Sequence, residues 1–157
     1  MSEGPMTEGD AIPDVTLAGA DGPIRLADYR GAPLVVYFYP KDDTPGCTRE
    51  AQDFSVLAAD FAAAGVAVLG VSKDSPAKHA KFAAKHGLTI PLASDDDANT
   101  VLGAFGAWQE KSLYGRKYMG IDRSTFLFGA DGTLVRAWRK VKVAGHAEQV
   151  LAAARAL

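Results

Sequence analysis

Residues Ala32–Glu50 read APLVVYFYPKDDTPGCTRE. Ala32 to Tyr39 is an unbroken apolar run rich in branched and aromatic side chains, the pattern of a central strand covered on both faces. Pro40 stops strand pairing because it has no N–H to donate. Thr44 then stands as an N-cap and Pro45 as the first helical residue. In that frame Cys47 falls in the first helical turn. Free N–H groups and the positive end of the helix dipole lie there, and both favour thiolate over thiol.

Working outward, Ala51, Phe54, Leu57, Ala58 and Phe61 keep a helical spacing, and Gly65 sits where a helix stops. They predict one helix over Thr44–Gly65. Val66–Val71 is a second buried strand. Ser75 and Pro76 open a helix that Gly87 closes, and a shorter helix over Asn99–Phe105 follows the acidic stretch Ser94–Asp97. Ser124–Phe128 and Thr133–Trp138 read as strands joined through Asp131-Gly132, a hairpin signal. Ala147, Val150, Leu151, Ala154 and Leu157 share one face of a closing helix, His146–Leu157. Residues up to about Ile12 read as a loose polar lead-in, and Trp108–Asp122 as a loop. Right-handed crossovers make the first two buried strands parallel neighbours, with the late hairpin antiparallel at one side. The prediction is α/β: a thioredoxin-like fold, a central mixed sheet flanked by helices with an N-terminal extension, in one domain over 1–157.

Composition narrows the function. The chain has 157 residues, 48% hydrophobic and 23% charged, with a net charge of −2. That gives no electrostatic case for nucleic acid or an anionic membrane. Its 17 Lys and Arg are scattered; a loose cluster at Arg136, Arg139, Lys140 and Lys142 reads as a solvated strand edge. The N-terminus is acidic where a secretion signal is basic, and no apolar run approaches the ~20 residues that span a bilayer. The expected compartment is the cytoplasm. One cysteine rules out an internal disulfide, and no Cys–His spacing suggests a metal. The count alone favours an inert buried thiol. The neighbours Pro, Gly, Thr, Arg and Glu are poor core company and favour a reactive one.

Other polar residues read more simply. His79, His86 and His146 form no motif, and the first two flank a Lys-rich helix as surface residues. Asp95, Asp96 and Asp97 lack the spacing and glycine of a calcium loop. Asp42 and Asp43 read as loop residues near a pocket mouth, and Trp108 and Tyr114 as its rim or as packing.

Two blocks carry a resemblance. Pro40, Thr44 and Cys47 fit the peroxiredoxin signature Pro-x-x-x-Thr-x-x-Cys, and FYPKDDTPGCTRE resembles the bacterioferritin-comigratory, or Q, branch at nearly every position. Gly103–Gly132, with its Arg-Ser-Thr-Phe-Leu run, resembles the same branch. The resemblance implies a thiol peroxidase that reduces hydrogen peroxide and organic hydroperoxides, in antioxidant defence, with no cofactor. It implies that Cys47 is the peroxidatic nucleophile and forms a sulfenic acid. Thr44 offers its hydroxyl to the thiolate and the peroxide, and Pro40 shields the sulfur. Arg123 stabilises the thiolate and the developing charge, and Glu50 holds Arg123.

Relatives carry a second, resolving cysteine where this chain has Gln52 or Ala83. Without it the sulfenic acid must be reduced by an external thiol, such as a thioredoxin, a glutaredoxin or a small thiol, in a monomer or weak homodimer. Two other classes stay open from the residues: a thiol transferase, which the run Cys47-Thr48-Arg49-Glu50 does not favour, and a non-catalytic binding module.

Overall fold

The computed structural model describes residues 6–157; residues 1–5 of the predicted lead-in lie outside the described residues. In chain order the elements are β1 (Thr16–Gly19), β2 (Gly22–Arg25), β3 (Leu34–Phe38), α1 (Pro45–Val56), α2 (Ala58–Ala63), β4 (Ala67–Ser72), α3 (Pro76–His86) and β5 (Leu92–Ser94). The chain continues with α4 (Thr100–Phe105), β6 (Trp108–Leu113), β7 (Arg116–Ile121), β8 (Ser124–Phe128), β9 (Leu134–Trp138) and α5 (His146–Arg155). Among the described residues the main sheet has seven strands in the order β2-β1-β5-β4-β3-β8-β9, and β6 pairs only with β7. β3–β4 and β4–β5 are parallel, while β3–β8 and β8–β9 are antiparallel. This is the thioredoxin-like mixed sheet that the order of elements predicts.

Strand β3 is buried along its whole length, and its alternation builds both halves of the core. Leu34, Val36 and Phe38 face one side with Phe105, Phe126 and Phe128. Val35, Tyr37 and Tyr39 face the other with Phe54, Phe61, Phe82 and Val150. Tyr37 stacks on Phe54 at 4.6 Å between ring centroids and lies over Gly70, where a Cβ would come within 2.7 Å of the ring. Cys47 belongs to this second half.

Four expectations are corrected. The helix predicted over Thr44–Gly65 is two helices, because Leu57 takes φ −92°, ψ 4° and turns the axis. The turn lets Phe61 pack on Phe54 at 6.0 Å. The lead-in, where described, is not loose. Met6 and Ile12 are buried, and Gly9 and Ile12 N–H donate to Leu134 and Gly132 carbonyls, with Leu134 N–H returning to Asp10. The segment from Trp108 is no loop but the antiparallel hairpin β6–β7, turned at Tyr114 and Gly115, both at positive φ. Arg139 is not a solvated edge residue, since it donates to the carbonyls of Met6, Phe105 and Gly106.

Candidate active site

The chain folds locally as the sequence dictates. Thr44 has the extended backbone of an N-cap (φ −95°, ψ 153°), Pro45 opens α1, and Cys47 is its third residue. The thiol is 2% exposed. Three residues on, Glu50 shares its helix face and is 1% exposed.

Arg123 joins them from the connection between β7 and β8. Its Nη2 donates to Cys47 Sγ at 3.2 Å and its Nη1 to Glu50 Oε1 at 2.7 Å. The planar fork thus holds a sulfur and a carboxylate together, which a point-like ammonium would do less well. The backbone at this corner is tied down: Asp122 N–H donates to Ala107 and Val141 N–H to Arg123 itself. Arg123 approaches over Gly46, where a Cβ would stand 3.3 Å from Nη2. Burial opposes the charge on Arg123, yet Glu50 and the sulfur facing it hold its pKa above the ordinary value.

Burial pushes the Glu50 carboxyl up to about 7, against the pull of Arg123. Its second oxygen and the Tyr37 hydroxyl are both buried without a hydrogen-bond partner among the described residues. Burial first, then the negative groups Glu50 and Cys47, push the Tyr37 hydroxyl well above its ordinary pKa.

Of the five residues singled out in the sequence, Cys47, Glu50 and Arg123 meet directly. Thr44 borders them, but its hydroxyl donates to the Lys41 carbonyl at 2.8 Å and makes no side-chain cap. Pro40 is exposed, one residue beyond buried Tyr39.

The surface reading of His79 and His86 is corrected, while Asp42 and Asp43 do lie in the loop before α1 at the mouth of a pocket. His79 is 4% exposed; its Nδ1 lies 2.6 Å from Asp42 Oδ2 and its Nε2 3.1 Å from the Ala93 carbonyl. Tyr39 donates to the other Asp42 oxygen at 2.5 Å, and Asp42 N–H donates to Asp74 at 2.7 Å. This network ties the segment before α1 to α3 and β5, and no sequence spacing announced it. Asp43 meets Lys85 and His86, so His86 is engaged as well. His146 is buried with Nε2 2.8 Å from Thr125 Oγ1; burial, then Arg123 and Arg136, lower its pKa to about 4. Asp95 and Asp96 cap α4 by accepting the N–H groups of Thr100, Val101 and Leu102. Trp108 is half-buried beneath Lys73, and Tyr114 is 96% exposed at the hairpin tip.

The arrangement can stabilise negative charge on a buried sulfur and on a leaving group that departs beside it. Comparison with known proteins agrees with that chemistry. The AhpC/TSA family pattern matches residues 8–137. The chain is 48% identical to "Peroxiredoxin Bcp" of Xanthomonas campestris over 155 residues, covering 94% of this chain and 96% of that one. It is 46% identical to "Peroxiredoxin Bcp" of Bacillus subtilis, covering 91% of each. Among solved structures it superposes on the X. campestris bacterioferritin comigratory protein, described for its alkyl peroxide reduction activity. The TM-score there is 0.86 at 47% identity, covering 94% of this chain and 98% of the other. A cysteine-to-serine mutant of PrxQ from Xylella fastidiosa gives a TM-score of 0.89 at 42% identity, covering 96% of each chain.

Proposed function

The chain belongs to the AhpC/TSA family, as a thiol peroxidase of its peroxiredoxin Q/Bcp branch, and from that we propose that Cys47 attacks the peroxide while Arg123, Thr44, Pro40 and Glu50 shape and charge its pocket. The observation that carries the assignment is the 3.2 Å hydrogen bond from Arg123 to the only sulfur of a cysteine in the chain. The thiolate attacks one peroxide oxygen, an S–O bond forms and the O–O bond breaks. The departing oxygen leaves as hydroxide or alkoxide and takes a proton. Sulfur is oxidised to a sulfenic acid and the peroxide is reduced to water or an alcohol. Arg123, preset against sulfur by Glu50, supplies donors where charge develops. Thr44 turns its hydroxyl from Lys41 toward the bound peroxide, and Pro40 covers the approach.

Hydrogen peroxide and organic hydroperoxides are the substrates. An external thiol closes the cycle, since the chain has no second cysteine. Residues 1–157 act as one domain, as a monomer or weak homodimer. A cytoplasmic setting suits a thiol that outside reductants must restore; among the described residues no helix is long and apolar enough to cross a membrane. The test is a stopped-flow measurement without reductant. One peroxide should disappear per Cys47, one oxygen should be found on that residue by mass spectrometry, and Cys47→Ser should be inert. Slow or non-stoichiometric consumption would refute the assignment.

A further inference from the structure

The hairpin β6–β7 stands apart from the main sheet. Among the described residues its strands pair only with each other, and its base is pinned where Asp122 N–H donates to the Ala107 carbonyl and Ile121 is buried. From there the ribbon runs through six pairs to Leu113 and Arg116, roughly 17 Å at the usual rise of a strand. Every residue from Ser112 to Met119 is exposed, yet the stretch is not polar. Of the seven large apolar side chains that stand exposed among the described residues, four are here: Leu113, Tyr114, Tyr118 and Met119. Strand alternation spreads them around the ribbon. Leu113 and Tyr118 fall on one face, Met119 on the other and Tyr114 at the turn. That turn has two residues, Tyr114 and Gly115, at φ 51° and 77°. Glycine, asparagine or aspartate takes this conformation more readily than a bulky ring, so the tip carries its aromatic at a cost to the backbone.

Cations are set among these apolar groups: Lys111, Arg116 and Lys117, against the single carboxylate of Glu110. Glu110 meets Lys117 at 3.7 Å, an exposed pair that water screens. Among the described residues, Lys111 and Arg116 have no carboxylate in ion-pair reach. Lys111 lays its stem along Gly120 beside the Tyr118 ring; a Cβ on Gly120 would stand 3.3 Å from Lys111 Cδ and 3.4 Å from Tyr118 Cε2. The net charge of −2 is an average over the whole chain, and exposed charges beyond a Debye length of about 8 Å are screened. The tip therefore acts through its own cations. A flat protein surface could cover one face of this ribbon and would leave the other in water. Apolar groups on both faces and at the tip are buried together only by something that surrounds them. The interfacial layer of a bilayer does so, taking up amphipathic Tyr rings while anionic headgroups meet the cations. We propose that the β6–β7 hairpin docks this protein, tip first and reversibly, on the surface of an anionic lipid bilayer. Arg123 follows β7 by two residues, so the docked site stands about a hairpin's length from the headgroups. The inference does not depend on the peroxidase reading.

The test sediments the full chain at low salt with vesicles of phosphatidylcholine alone and of an equal mixture with phosphatidylglycerol. Binding to the anionic vesicles should be about ten-fold or more tighter, since each cation near such a surface adds to the attraction, and it should weaken in high salt. Arg116→Glu/Lys117→Glu should abolish the preference. Leu113→Thr/Tyr114→Asn, which keeps strand and turn chemistry, should weaken binding about ten-fold by removing apolar surface. Circular dichroism should show both variants folded. No binding to the anionic vesicles, or binding that both variants retain, would overturn the proposal. So would a concentration-dependent dimer that Leu113→Thr/Tyr114→Asn breaks while the wild type ignores vesicles, since a second copy would then cover the hairpin. Slower reduction of these variants by a dithiol protein, again with vesicles ignored by the wild type, would overturn it in favour of a protein partner.

Discussion

Arg123 hydrogen-bonds both the sulfur and its neighbouring carboxylate. Removing such a donor from a site of developing charge typically costs about a hundred-fold or more in rate. Arg123→Ala should therefore slow the oxidation of Cys47 by that much in stopped flow while circular dichroism stays native. A folded variant that reacts at the wild-type rate would remove Arg123 from the mechanism. Glu50 offers a second test through pH. The folded chain keeps the Glu50 proton up to about pH 7, whereas the unfolded chain releases it near 4.5. Between those values the unfolded state binds fewer protons, so this group's contribution to stability falls as pH rises. His146 works the other way. Its folded pKa is lowered from 6.5 to about 4, so its contribution is complete above 6.5 and is lost as pH falls toward 4. The two contributions oppose each other over the same pH range. Denaturant titrations of Glu50→Gln between pH 4.5 and 6.5 should show stability rising with pH more steeply than in the wild type. An identical slope in the two proteins would mean that Glu50 titrates in its ordinary range.

At the scale of elements, the join between the segment before α1 and α3 is the buried contact of Asp42 with His79 and Tyr39. Both His79 ring nitrogens have oxygen partners, Asp42 on one side and the Ala93 carbonyl on the other. Leaving a buried polar group without its partner costs roughly 1–3 kcal/mol, which in a chain of this size lowers Tm by roughly 5 °C. Asp42→Ala should show that loss in calorimetry, and adding His79→Ala should cost little more, because the two share one interaction. Additive losses would show that the pair is not coupled. This join also marks the limit of what the sequence could tell. β3, the start of α1, β4 and α3 were legible because strand periodicity, Thr44-Pro45 and Ser75-Pro76 are signals between near neighbours. The placing of Cys47 came from the same local grammar. β1, β2 and β5 were not legible, since strands of three or four residues show almost no period. The alternation of β6 and β7 is blurred because their residues are mostly exposed on both faces. His79 looked like a surface residue because a helix with lysines at 78, 81 and 85 hides the one polar position that turns inward. Arg123 and Glu50, 73 residues apart, could be paired only through family resemblance, because no spacing rule links a helix turn to a strand corner.

The whole molecule gathers its chemistry on one side of the sheet. Cys47 lies in the same half of the core as Tyr37, Phe54 and Phe82, and among the described residues only the guanidinium of Arg123 reaches its sulfur by a side-chain hydrogen bond. That enclosure governs the fate of the sulfur once it has been oxidised. A disulfide between two chains needs the sulfurs about 2 Å apart, and a thiol 2% exposed cannot meet its copy across two intact surfaces. The first turn of α1 would have to unwind, breaking the 2.8 Å bond from Thr48 N–H to the Thr44 carbonyl and the contact with Arg123. No cysteine elsewhere in the chain can trap the sulfenic acid, so it should persist until an outside thiol arrives, and excess peroxide should carry it on to sulfinic acid. One equivalent of peroxide should thus give mainly a monomer that dimedone labels, with any linked dimer minor and slower to form. Intact mass after dimedone treatment and non-reducing electrophoresis read the two products directly. Rapid and complete conversion to a linked dimer would show that a second Cys47 is the resolving partner. It would also show that the first turn of α1 opens far more readily than its packing against the sheet implies.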